Sequence, residues 1–214
     1  MAASKVRGTE LTRRGKLQSP FLSLAPAAIF VLATLPATAR AQQITFELDP
    51  AKTHVEFTLD AFLHTVHGTF QAKPGKIEVD PATGRCSGRV VVDARSADTA
   101  NDGRDSKMHK DVLESQQYPE IVFTPARIQG QIAPQGASQL QLQGTITLHG
   151  RDQEISTPIE VQITGNEWTG DTTFPVPYVK WGLKNPSNLF LRVKDTVNLT
   201  VHAAGALMIA GSQP

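Results

Sequence analysis

Leu140-Gln141-Leu142-Gln143-Gly144-Thr145-Ile146-Thr147-Leu148-His149-Gly150 alternates apolar and polar residues with a period of two. Successive side chains of a strand point to opposite faces, so Leu140, Leu142, Ile146 and Leu148 share one face and the polar residues share the other. The same rhythm runs outward in both directions. Toward the N-terminus it recurs in Ile121 and Phe123, in Val90 and Val92 with Ala94, and in Ile77-Glu78-Val79. Val55-Glu56-Phe57-Thr58-Leu59 and Ile44-Thr45-Phe46-Glu47-Leu48 carry it further. Toward the C-terminus it continues through Ile155, Ile159, Val161 and Ile163, then Trp168, Thr172, Phe174 and Val176, and ends on Val197, Leu199, Val201 and Ala203. Turn chemistry separates the runs at Asp49-Pro50, Asp80-Pro81-Ala82-Thr83-Gly84, Gly165-Asn166 and Lys194-Asp195. Many short strands with one wet face predict an all-β antiparallel sandwich or barrel.

One segment breaks the rhythm. Met108, Val112 and Leu113 stand at helical spacing, and Asp105 or Ser106 is placed to cap a helix start. The spacing predicts a short helix over about 106–115, lying across one end of the sheet and ended by Tyr118-Pro119. The tail from Gly205 to Pro214 is apolar with no clear period, so the domain is drawn as 42–204 with 205–214 as a tail.

The N-terminus reads as an export signal. Lys5, Arg7, Arg13, Arg14 and Lys16 precede an apolar run from Phe21 to Leu35, followed by Ala37-Thr38-Ala39 and Ala39-Arg40-Ala41. A basic region, a short apolar region and a small-residue site make a secretory signal peptide, with cleavage expected before Gln42. A retained anchor is the alternative, but the run is short for a spanning helix and is interrupted by Pro26. Arg13-Arg14 leaves the twin-arginine route open beside the general one. The expected location is therefore the periplasm or the medium.

Residues 1–41 hold six of the 21 basic residues and one of the 20 acidic ones, so the remainder has 15 basic and 19 acidic residues and a net charge of −4. No basic patch with interleaved aromatics survives, which argues against nucleic acid as a partner. Cys86 is the only cysteine, cannot form an internal bridge, and reads as incidental. No Ser-His-Asp ordering, phosphate loop or paired carboxylates support a hydrolase.

The order of the segments resembles the YceI-like family of exported lipid-binding, or polyisoprenoid-binding, proteins. Leu48-Asp49-Pro50 and His54-Val55-Glu56-Phe57 open the resemblance, followed by Val66-His67-Gly68-Thr69-Phe70. Its most specific part is Arg104-Asp105, Met108 and Tyr118-Pro119-Glu120-Ile121-Val122-Phe123. Gly144 to Gly150, Val179-Lys180-Trp181-Gly182-Leu183 and Val193-Lys194-Asp195-Thr196-Val197 complete it. Two places depart from the pattern: Val112-Leu113 replaces an aromatic pair, and Tyr178-Val179-Lys180-Trp181-Gly182 replaces an Arg-Ser/Asp-aromatic-Gly motif. Both touch the ligand's identity more than the fold.

The resemblance implies an extended, lipocalin-like antiparallel β-barrel of about eight strands. Its apolar tunnel would take an isoprenoid or other long-chain lipid, with no cofactor and no catalysis. A barrel of that size just holds one small ligand. Candidate tunnel residues are Phe57, Leu59, Phe62, Phe70, Met108, Val112, Leu113, Phe123, Phe174, Trp181 and Phe190, each with packed core as the competing role. Arg104 and Asp105 are candidates for the tunnel mouth, or for tying the loop and capping the helix. The other function class is a metal-binding protein or metal-dependent enzyme using His64, His67 and His109. On a plain strand, however, His64 and His67 would face opposite ways. A β-domain that binds another protein is a third option. The domain is expected to be soluble with at most transient membrane contact, and its oligomeric state is left open, a dimer included.

Overall fold

The computed structural model describes residues 43–62, 64–187 and 192–210. The predicted signal peptide over 1–41 and the candidate Phe190 lie outside the described residues. The alternating runs form ten strands: β1 (Ile44–Leu48), β2 (His54–Asp60), β3 (Thr65–Ala72), β4 (Gly75–Asp80), β5 (Arg85–Asp98), β6 (Glu120–Gln129), β7 (Gly136–Leu148), β8 (Arg151–Thr164), β9 (Glu167–Val176) and β10 (Val197–Ile209).

These ten make eight courses. Strand β10 pairs with β2 through Asn198–His202 and with β1 through Gly205–Ile209. Strand β5 pairs with β4 through Arg85–Arg89 and with β3 through Val92–Asp98. Thus β1 and β2 are one course broken at Asp49-Pro50, and β3 and β4 are one course broken at Lys73-Pro74. Proline lacks the N–H a ladder needs, so each course interrupts where it stands. Asp49 stabilises the first break, its carboxylate accepting the Ala51 amide at 2.9 Å. All neighbours pair antiparallel, and the β10 pairings with β1 and β2 close the ring. The predicted barrel is therefore closed, with eight strands around it. Every pairing that closes it lies between Ile44 and Ile209.

Two expectations change. The region read as an aperiodic tail is strand through Ile209, pairing Gly205–Ile209 with β1. Its pattern was obscured by Gly205, where an added Cβ would lie 1.8 Å from the Glu47 carbonyl oxygen. The helix also starts earlier than 106. Helix α1 spans Asp102–Lys107 and widens into a π-helix over Met108–Val112. Asn101 caps it by accepting the Arg104 amide at 2.9 Å. Asp105 is not the cap, because its carboxylate is engaged by the Thr99 amide and hydroxyl. The π-turn closes when the Leu113 amide donates to the Met108 carbonyl at 2.9 Å.

The end of the barrel built on β1 and β4 is packed solid. Phe46, Leu48, Val79, Leu140, Leu142, Val161, Ile163, Trp168 and Leu207 form one buried cluster there. Phe46 meets Trp168 edge-on at 5.2 Å, and the Trp168 indole donates to the Glu47 carbonyl at 3.0 Å.

Candidate functional site

The opposite end, built on β2, β3 and the helical insertion, is hollow. A second buried cluster of Ile146, Leu148, Val176, Tyr178, Trp181 and Leu183 surrounds a cavity of about 510 Å³. The wall comes from Phe57 and Leu59 on β2, Val66 and Phe70 on β3, Ile121 on β6, Ile146 and Leu148 on β7, and Val197 and Leu199 on β10. Met108, Val112 and Leu113 close it from the helical insertion. Tyr178, Trp181, Leu183 and Pro186 close it from the segment after β9. Three lining residues, His64, Asn101 and Lys107, are exposed, so the cavity reaches the surface between the β2–β3 turn and α1.

Polar groups at this mouth are largely satisfied by the protein. Arg104 donates through Nε to the Thr99 hydroxyl at 2.7 Å and through a terminal nitrogen to the Thr99 carbonyl at 2.6 Å. Burial would raise the Asp105 carboxyl, but hydrogen bonds from Thr99 and the Asn101 amide outweigh it and hold Asp105 below the ordinary range. Tyr178 donates to the Lys194 carbonyl at 2.8 Å, and burial pushes its phenol up to about 12, so it stays protonated. Among the described residues the lining is shaped, mostly apolar surface.

The YceI-like domain family matches residues 46–204. The chain belongs to this family. A UPF0312 protein of Vibrio cholerae serotype O1 is 23% identical over 187 residues, covering 86% of this chain and 97% of that protein. Burkholderia cenocepacia BcnA superposes with a TM-score of 0.60 at 20% identity, covering 74% of this chain and 99% of the other. A polyisoprenoid binding domain from Saccharophagus degradans, implicated in plant cell wall breakdown, superposes at 0.57 with 16% identity, covering 74% and 95%. These likenesses show that the YceI-like barrel described above is the family's fold.

Within the YceI-like barrel, seven of the predicted tunnel residues line the cavity: Phe57, Leu59, Phe70, Met108, Val112, Leu113 and Trp181. Val112 and Leu113, standing where the family pattern has an aromatic pair, are both in the wall. Arg104 also lines the cavity, whereas Asp105 does not. Three predicted residues sit elsewhere. Phe123 lies over Gly144, where an added Cβ would come within 2.6 Å of its ring, so the ring packs within the wall. Phe174 packs on the second cluster beyond the point where β8 and β9 stop pairing, at Glu160 and Asp171. Phe62 is 84% exposed on the β2–β3 turn, because that turn has left the barrel wall.

The histidines do not converge. His64 lines the mouth, while His67 is exposed on β3 and meets the Thr58 hydroxyl at 3.3 Å. His109 has both ring nitrogens in use, Nε2 on the Ala97 carbonyl at 2.9 Å and Nδ1 on the Ser115 hydroxyl at 3.0 Å. A carbonyl only accepts, so Nε2 carries the proton and Nδ1 accepts from Ser115 when the ring is neutral. Among the described residues no group of three or more His, Cys, Asp or Glu is placed to hold a metal ion. The metal alternative built on these three residues is therefore set aside.

Sequence reasoning missed Thr99, Asn101, Val66 and the loop residues Tyr178, Leu183 and Pro186 as lining residues. It had counted Ile146, Leu148, Val176, Val197 and Leu199 as inward strand residues without assigning them to the cavity. Alternation marks the inward face but carries no sign of which inward residues find a neighbour and which find space.

Proposed function

We propose that this YceI-like protein is an exported, non-catalytic binding protein that holds one long-chain lipid of the isoprenoid class in the hollow end of its barrel. The observation carrying this reading is the cavity of about 510 Å³, walled by aliphatic and aromatic side chains in a barrel whose other end is packed. That volume falls in the range of about 300–1,000 Å³ typical of small-molecule sites. An alkyl or prenyl chain needs only such a surface. Burying ten of its carbons contributes about 8 kcal/mol at about 0.8 kcal/mol each, before the cost of association is subtracted. The polyisoprenoid binding domain among the structural neighbours agrees with this ligand class. A basic N-terminus followed by an apolar run and an A-x-A site supports export, and a lipid outside the cytoplasm needs shelter from water. A carrier or reservoir role follows from these properties together.

The test is extraction of the protein, purified after native expression, with organic solvent followed by mass spectrometry. A stoichiometric prenyl or other long-chain amphiphile is expected. A clean extract, together with no uptake of prenyl lipid added in vitro, overturns the reading.

A further inference from the structure

The cavity stops partway along the barrel, at a boundary made by particular residues. Strand β7 sends Leu142, Gly144 and Ile146 inward in succession. Leu142 belongs to the packed cluster and Ile146 lines the cavity, so the boundary falls at Gly144. The missing side chain there is replaced by the Phe123 ring, which packs on both clusters. From β10, on the opposite side of the ring of strands, Leu199 also packs on both clusters and lines the cavity. Phe70 lines the cavity and packs on the solid cluster, its ring 5.2 Å from that of Phe57. Phe70, Phe123 and Leu199 thus form a floor. Behind it stands the packed cluster, in which Val79 and Ile163 are 0% and 2% exposed.

The other end of the cavity is polar. His64, Asn101, Arg104 and Lys107 stand at the mouth. A prenyl lipid has one polar end, and burying that end against the apolar floor would cost it its hydrogen bonds. The head group therefore stays at the mouth, the tail enters first, and its last carbons meet the floor. The depth of the cavity then sets the length of chain that is sheltered. An apolar cavity of about 150 Å³ takes one benzene, or about 25 Å³ per carbon. At that packing the cavity of about 510 Å³ takes about 20 carbons, or about four isoprene units. Carbons beyond that number stay outside. Each one left in water lowers partition from a micelle or bilayer by roughly fourfold.

We propose that the floor of Phe70, Phe123 and Leu199 is a chain-length ruler, which restricts the ligand to prenyl chains of about four isoprene units or fewer. The proposal rests on the lipid-holding reading above and narrows its ligand class.

The test uses the protein purified after native expression and stripped of lipid. It is incubated with detergent micelles carrying an equimolar mixture of prenols of three, four, five, six and eight isoprene units. The protein is then repurified and extracted, and the prenols are quantified by mass spectrometry. The three- and four-unit prenols are expected to exceed the six- and eight-unit ones by roughly tenfold or more. Phe70→Ala removes a phenyl ring, which opens space for about six carbons, or about one more unit. The five-unit prenol is then expected to be taken up as well as the four-unit one. Phe70→Leu, a smaller change, is expected to raise the ratio of five-unit to four-unit prenol in the same direction. A mere loss of stability lowers every length together, so the ratio is the readout, and circular dichroism confirms that each variant is folded. The length series of the unaltered protein decides the proposal even where a variant fails to fold. Uptake that stays level or rises through eight units overturns the ruler and leaves the lipid-holding reading standing. A ratio unmoved in the folded variants overturns it equally. Uptake of no prenol at all overturns the lipid-holding reading and the ruler with it.

Discussion

Leu142 and Leu148 stand on the same strand and the same face, at 7% and 8% exposure, yet replacing each with alanine is expected to cost different amounts. Leu142 belongs to the packed cluster, whereas Leu148 borders the cavity. Removing three carbons forfeits about 2.4 kcal/mol of transfer energy at about 0.8 kcal/mol per carbon. At Leu142 a new void is added to that, which brings the expected cost to about 3–4 kcal/mol, within the range of roughly 2.7–5.0 found for buried leucines. At Leu148 part of the side chain already faces empty space. Fewer contacts are lost and no new void is opened inside a packed wall, so about 1–2 kcal/mol is expected. The difference of about 2 kcal/mol corresponds to a gap in Tm of about 4–8 °C for a domain of this size. The assay is thermal and urea unfolding of lipid-stripped protein, followed by tryptophan fluorescence and circular dichroism. Costs agreeing to within about 0.5 kcal/mol, well under that gap, refute the reasoning, because the space beside Leu148 would then be filled in solution.

Gly68→Ala places a Cβ 2.3 Å from the Phe57 ring and 2.8 Å from the Asp98 carbonyl oxygen, so the ring must swing toward the cavity. Lipid uptake is expected to fall, at a stability cost of about 1–3 kcal/mol, both read by titration and melting. Asp93 is held down to about 2 by hydrogen bonds from Arg95, below its ordinary value of 3.8. A depressed carboxyl contributes stability that is present above the unfolded value and lost as pH falls through about 2. Asp93→Asn should therefore lower the melting temperature at pH 6 and converge with the parent near pH 2, as a series of melts across pH will show. Burial pushes the Cys86 thiol up to about 11, so almost no thiolate is present at pH 8. Alkylation by iodoacetamide is expected to be slow in the folded protein and fast in urea, as read by mass spectrometry.

The all-β antiparallel class and the order of the segments were legible in the amino-acid order, because a strand's period of two depends only on which residues are neighbours along the chain; the closed barrel and the family came from the resemblance of the motifs, which alternation alone does not carry. Val55-Glu56-Phe57-Thr58-Leu59 declares its inward set without reference to any other strand. Pro50 also announces its break locally, since a missing N–H is a property of the residue itself. The helical insertion was only half legible. Its apolar spacing was visible, but its start was not, because Asp105 bonds Thr99 and leaves the cap to Asn101.

What only the tertiary structure decided is where inward residues meet and where they do not. Leu142 and Leu148 carry the same local pattern, and only their cross-barrel neighbours separate core from cavity. Phe123 was lost to the tunnel because Gly144, distant in sequence, leaves room for its ring. Tyr178, Leu183 and Pro186 joined the cavity through a loop with no period at all, folded back by contacts such as the Tyr178 hydroxyl on Lys194. Phe62 shares the apolar character of Phe57, and only the tether of its turn to Arg192 sets it outside the wall. Periodicity is a property of one strand, whereas empty space is a property of the whole ring of strands around it.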